Sequence, residues 1–492
     1  MKNNPLGFIL VPTLVFASIS VVFLTAFVNL TASNFGAARN VENKERALEI
    51  AEAGIEYYRW HLAHAPTDFK DGTATSGPYI HPFYDVDGTY IGEYSLAITP
   101  PATGTTVVTI ASTGKLFEAP LRTRTIRTQL AKPSWAKYAF VANDFMRFGQ
   151  GTEVFGPIHS NKGIRFDGLA HNIVTSALSD DNDEDHTGND EFGVHTHVKP
   201  PPNNSQIYTD FVSAEAPNNS VQNRSDVFLA GRQFPVPAID FTGLTANLSQ
   251  LKTDAQANGR YISNSGDDGY KIILKTNDTF DLYKVTSLES KPNQCSSGGQ
   301  EQQSNALKWG IWSIKTTSFV ATYAFPANGI IFVDDHLWVE GQINTARLTI
   351  AAGTFPDAQG QYRQITVNND LKYTNYDGQD VISLISQGNV NAGLYSEDDL
   401  RIDGALVAQN GRVGRYYYDE DCESDSDGDE YIRQKITLYG IIATNDRYGF
   451  AYADGTGYQN RVIIYDNNLL YGPPPSFPLT TDQYQVISWE EI

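Results

Sequence analysis

Residues 47–60, ALEIAEAGIEYYRW, decide how the rest of the chain is read. Alanine, leucine and glutamate are strong helix formers. Val41, Leu48, Ile55 and Leu62 fall seven apart, with Ala51 and Tyr58 between them. That spacing predicts a helix with one apolar stripe and its carboxylates turned outward. The surrounding composition points elsewhere, because 40 Gly, 27 Tyr and 12% aromatic residues in a chain of 492 favour strands and turns. The chain is therefore predicted to be mainly β with a long helix at its N-terminal end.

Upstream, no charged residue occurs between Lys2 and Arg39, and residues 8–28, FILVPTLVFASISVVFLTAFV, are almost wholly apolar. At the α-helical rise this stretch is roughly 31 Å long, enough to cross a hydrocarbon core. A cleaved secretory signal has a shorter apolar core, about 7–15 residues, followed by a small-residue cut site that NLTASNFGAARN matches poorly. No proline interrupts from Thr13 to Ala65, so membrane segment and amphipathic extension read as one spine, residues 8–65, roughly 85 Å long. A plain signal anchor and an assembling spine both fit these features.

The leader MKNNPLG, with one basic residue and a glycine, precedes Phe8 and the apolar run. RALEIAEAGIEYYRWHLA fits an A-x-x-A-E-A-G pattern at Ala47, Ala51, Glu52, Ala53 and Gly54. Together, over residues 1–65, these features resemble the PilX-type minor pilins of type IV pili. The resemblance implies cleavage of a leader, residues 1–7, between Gly7 and Phe8 by a prepilin peptidase. It implies insertion through residues 8–28 as a single pass of the cytoplasmic membrane, with the body outside the cytoplasm. Assembly into a surface pilus or pseudopilus would follow, with other pilins and an assembly platform as partners. Adhesion or priming of assembly is the expected role. The fifth mature position, usually glutamate in major pilins, is Pro12, which suits a minor subunit better than a bulk one.

Residues 66–133 carry strand patterns at 79–86, 90–98, 105–113 and 123–130, with Asp87-Gly88 and Thr113-Gly114 as turn dipeptides. A small antiparallel sheet follows, similar to a pilin head, with Leu48, Ala51, Ile55, Tyr58 and Leu62 of the spine facing it. Residues 1–134 are electrically neutral, so the net charge of -21 falls on the remainder. A field of that sign disfavours nucleic acid as a partner of the body, residues 134–492.

The body repeats an aliphatic–polar–glycine–aliphatic theme in VFGPI (154–158), VEGQI (339–343), VNAGLY (390–395) and IDGALVAQNGRV (402–413). Stacked rungs with glycine corners explain it, so a parallel β-helix or solenoid is predicted, with a β-sandwich as the alternative. Residues 178–234 read as a polar surface excursion, residues 241–258 as an amphipathic helix, YKIILKTNDTFDLYKV as a hairpin turning at Asn277-Asp278, and the C-terminal tail as a strap on the body.

Four features could carry chemistry. Glu423, Asp425, Asp427 and Asp429 alternate around Gly428 with the spacing of a calcium loop, although Gln434 stands where a bidentate glutamate is expected. Asp181, Asp183 and Asp185 alternate without the glycine. His195 and His197, with His186 nearby, could ligate a transition metal, against the simpler expectation of exposed loop histidines. Cys295 and Cys422, in polar loops, could form a disulfide if the body lies in an oxidising compartment. G-x-S-x-G, P-loop and H-E-x-x-H patterns are absent from the sequence, and a glycan-active β-helix enzyme is the lesser alternative to a non-enzymatic role.

Overall fold

Helix α1 runs unbroken from Leu10 to His64. It is the first element of a computed structural model that describes residues 10–101, 105–183, 186, 188–241, 243–290, 292, 295, 313–358, 360–422, 430–452, 454–470, 472–479 and 483–492. Two compact units result, one of Met1–Pro101, Val107–Ala131 and Gln483–Ile492, the other of Ala102–Thr106 and Lys132–Asp482.

In the first unit, α1 changes character along its length. Its leading part is long and apolar enough to cross a membrane, and it exposes Phe16, Phe23 and Leu24. Burial begins at Ala47 and continues through Ile50, Ala51, Gly54, Ile55, Tyr58 and Leu62, a three-and-four stripe. Leu48 is half-buried at its edge, and Val41 is exposed. The stripe faces strands β1 (Tyr79–Tyr84), β2 (Tyr90–Thr99), β3 (Val108–Leu116) and β4 (Thr123–Ala131), antiparallel in that order. Leu96, Ile110, Ile126 and Leu130 complete the core.

Two expectations are corrected here. The tail's last strand, Gln485–Glu491, pairs antiparallel with β4 and belongs to this sheet, not to the body. It covers an edge that would otherwise offer a row of unpaired backbone groups. Arg127 on β4 meets Glu490 at 3.1 Å, and Arg124 pairs with Glu491. Thr113-Gly114 is not a turn but lies inside β3, because helix and sheet nearly touch there. A Cβ on Gly114 would sit 2.0 Å from the Ala47 carbonyl oxygen and 2.6 Å from the Ala51 nitrogen. Gly114→Ala is expected to cost about 1–3 kcal/mol through this overpacking. A lower melting temperature in the full chain checks it, and an unchanged one removes the close approach.

The second unit is a parallel β-helix, and parallel pairing excludes the sandwich. On its principal face the strands stack in the order Arg260–Ile262, Ile330–Val333, Arg347–Ala352, Val381–Ser386, Asp399–Ala408, Ile432–Thr444, Phe140–Ala142, Ile158–Ser160, Val174–Ser176 and Arg232–Gln233. The winding is permuted. The chain enters mid-stack at Phe140 and winds to one end at Gln233. It then returns through helix α2 (Gly243–Asn258) to the other end at Arg260, and winds back until Ile442 pairs with Phe140.

Inside, Ile331, Ile350, Leu384, Leu406, Ile442, Phe140, Ile158 and Val174 form one continuous ladder in register. The outward side chains of the same face, Phe332, Ala351, Ile385, Val407 and Val141, are covered by Leu248, Leu251 and Ala255 of α2 and by Trp135, Leu469 and Phe477. With both surfaces buried, these strands read as unbroken apolar runs.

At the corner of the longest strands Gly404 pairs with Gly440, at φ 155° and 150°, where a side chain would be strained. The hairpin Gly269–Lys275 and Thr279–Leu288 turns at Asp278, whose φ is 60°. The excursion 178–234 is only partly superficial. It contributes Val194–His195 to a second face, beside Ile164–Arg165, and buries Phe192, Val198 and Phe228, because its charged groups are paired internally.

Candidate functional site

Among the described residues, a cluster of buried carboxylates and imidazoles lies within 180–198. Asp180-Asp181 pairs antiparallel with Glu191-Phe192, closing a loop that carries Asp183 and His186. Extended backbone then places His195 and His197 on one side. His186 Nε2 lies 3.5 Å from Asp183 Oδ2 and 3.2 Å from Glu191 Oε2. For His195 Nε2 the same distances are 3.8 and 3.5 Å, and for His197 Nε2 they are 3.9 and 3.0 Å. Donor atoms of Asp183, His186, Glu191 and His197 all fall within 4.8 Å of one another.

Surrounding groups hold these side chains in place. His195 Nδ1 donates to the Phe192 carbonyl at 2.9 Å and His197 Nδ1 to the Tyr208 carbonyl at 3.2 Å. A carbonyl can only accept, so each Nδ1 carries a proton, and in the neutral ring Nε2 presents a bare lone pair. The Val212 N–H donates to Glu191 Oε1 at 2.7 Å. Arg165 reaches Asp183 at 3.1 Å and Asp167 at 2.8 Å, and Asp167 accepts the His197 backbone N–H at 2.8 Å. Burial opposes charge on Glu191, but contact with His197 and the nearby imidazole of His195 outweigh it and hold the carboxyl below its ordinary value. Burial likewise opposes a charged His195, yet the Asp183 and Glu191 carboxylates outweigh it and raise its value.

The histidines are therefore not exposed loop residues: His195 and His197 are fully buried. The alternation of H-T-H and the nearness of His186 were visible in the sequence. The carboxylates joining them were not, since Asp183 was grouped with Asp181 and Asp185, and Glu191 carried no signal beyond lying four residues before His195. Asp181 lies apart, against Gly163, and Asp185 falls outside the described residues.

Cys295 and Cys422 are bonded to each other. They are buried among Trp338, Leu394, Tyr416 and Tyr418 rather than exposed in polar loops, because both sulfurs share one apolar cluster with these side chains. Bonded sulfurs leave no thiolate for a metal beside Asp419. Next to them Arg415 is fully buried, donating to the carbonyls of Tyr431 at 2.8 Å, Leu394 at 3.0 Å and Glu430 at 2.6 Å. The rings of Tyr418 and Tyr458 lie 5.0 and 5.7 Å from its guanidinium. The calcium-loop residues Glu423, Asp425, Asp427 and Asp429, and the processing residues Gly7 and Phe8, lie outside the described residues.

No protein-family model matches the chain. No curated protein matches it either. Among solved structures it is similar to the competence-associated pilin ComZ from Thermus thermophilus, at 12% sequence identity and a TM-score of 0.33, over 92% of this chain and 97% of that one. At that TM-score the likeness has no weight for the role of this chain.

Proposed function

We propose that the protein is a minor subunit of a type IV pilus or pseudopilus, held first in the membrane and then in the filament by α1, with the β-helix as its displayed module. The division of α1 carries this reading. One segment exposes an apolar surface all round, while the next buries a narrow stripe, Ala47 to Leu62, against its own sheet. A helix serving one folded domain has no use for the exposed segment, whereas one that leaves lipid to pack among other helices needs both. Apolar helices gain little from each other in lipid, so extraction calls for an assembly platform as a partner. The leader and the signature around Ala47–Gly54 support the same reading. Adhesion, or priming of assembly, is the role proposed for the body, without enzymatic activity.

N-terminal sequencing of the protein from its native membrane tests this, with Phe8 expected as the first residue. An intact Met1 would overturn it in favour of a signal-anchored surface protein that never assembles. Polysaccharide cleavage by the purified full chain would instead favour a glycan-active enzyme.

A further inference from the structure

We propose that Asp183, His186, Glu191 and His197, with His195 against the same two carboxylates, form a structural site for one divalent first-row transition ion, zinc or a close neighbour. The site lies apart from α1 and does not depend on the role assigned to it. Its case rests first on what the converging atoms can do. With Nδ1 of His195 and of His197 donating to carbonyls, their Nε2 atoms are acceptors whenever the rings are neutral, and they face carboxylate oxygens across gaps that only a proton or a metal ion can bridge, as at 3.0 Å between His197 Nε2 and Glu191 Oε2. His195 Nε2 is fully buried and has no hydrogen-bond partner among the described residues, the carboxylate oxygens of Glu191 and Asp183 being 3.5 and 3.8 Å away. Acceptors gathered in this way call for a cation between them.

Charge gives the second reason. Arg165 pairs with Asp167 and Asp183, and Glu191 lies beside Asp183 in the same cluster, all three carboxylates being buried. With the imidazoles neutral, as metal ligands are, three carboxylates against one guanidinium leave two negative charges, which a divalent ion balances. The donor set names the class of ion. Imidazoles with carboxylates and no thiolate suit zinc and neighbouring divalent metals, rather than copper(I), which prefers sulfur, or calcium, which prefers oxygen alone.

The role follows from placement. Pairing in this segment is confined to the two-residue strands Asp180-Asp181, Glu191-Phe192 and Val194-His195. An ion held by this cluster ties Asp183 and His186 to Glu191 and His197. The side chains of the cluster are at most 3% exposed, which suits a structural rather than a catalytic centre.

The test uses the full chain in detergent. After expression with zinc and dialysis, elemental analysis is expected to find close to one metal ion per chain. Removal by a strong chelator is expected to lower the melting temperature and speed proteolysis within residues 180–198, with zinc reversing both. Cobalt(II) reloading is expected to give visible ligand-field bands, and His195→Gln/His197→Gln to abolish them. Should that variant fail to fold, chelation and reloading of the unaltered chain answer the question alone. A chain that retains no metal and shows the same melting and proteolysis with or without added zinc would overturn the proposal, leaving protons to hold the cluster. Full metal retention by the double variant would overturn it as well.

Discussion

Arg415→Met is expected to cost the body about 3–5 kcal/mol, the range for removing one side of a buried charged contact. The guanidinium sits where no water reaches, and its partners are backbone carbonyls of Leu394, Glu430 and Tyr431. Methionine can satisfy none of them, and an acceptor left buried without a partner, as at Leu394, costs about 1–3 kcal/mol. The tyrosine rings around the charge add a cation–π contribution that is lost with it. Arg415→Lys should recover less than half the loss, because an ammonium cannot reproduce the planar fork that reaches several carbonyls at once. Denaturant titration of the full chain, followed by tryptophan fluorescence, reads the change, with Trp338 in the adjoining cluster as a reporter. A midpoint within about 0.5 kcal/mol of wild type, the range of ordinary surface substitutions, would show that the carbonyls find other donors.

The second large effect lies beside it. Replacing Cys295 and Cys422 together by alanine is expected to destabilise the body by about 3–5 kcal/mol. Their separation of 127 residues makes this a long closed loop, and in the chain-entropy account such loops restrict the unfolded state most. Reductant should lower the melting temperature of the native chain by the same amount and leave the double variant unmoved. Equal melting in both conditions, with two titratable thiols in the native chain, would remove the bond. Because the bond and Arg415 share the cluster of Tyr416, Tyr418 and Leu394, the two losses should not add, and the triple variant should fall short of their sum.

What the sequence disclosed follows from which interactions are local. The helix was legible because its stripe repeats within a few turns, and the rungs because Gly404 must occupy a conformation few other residues tolerate. Gly114 was misread because its requirement comes from Ala47 and Ala51, more than sixty residues away. The principal face hid its periodicity, since Phe332 and Val407 point outward yet are covered as fully as Ile331 and Leu406. Nothing local records which rung lies on which, so the return through α2 was invisible, although α2 itself was not. In the histidine cluster the alternation was legible and the burial was not, because a run such as SDDNDEDH looks solvated until its carboxylates meet imidazoles and Arg165.

The permuted winding also sets a timetable. Phe140 finds its neighbour Ile442 roughly 300 residues later in the chain, a separation that slows folding. As the polypeptide emerges, the first rungs wait with one edge bare until the second run arrives to seal it. The sheet under α1 waits longer still, for Gln485–Glu491. The β-helix edge is sealed once Ile442 arrives and β4 only by the last strand, so a chain cut short of its end leaves the sheet under α1 with an open edge. That exposed interval is when a chaperone or a protease would act on the chain.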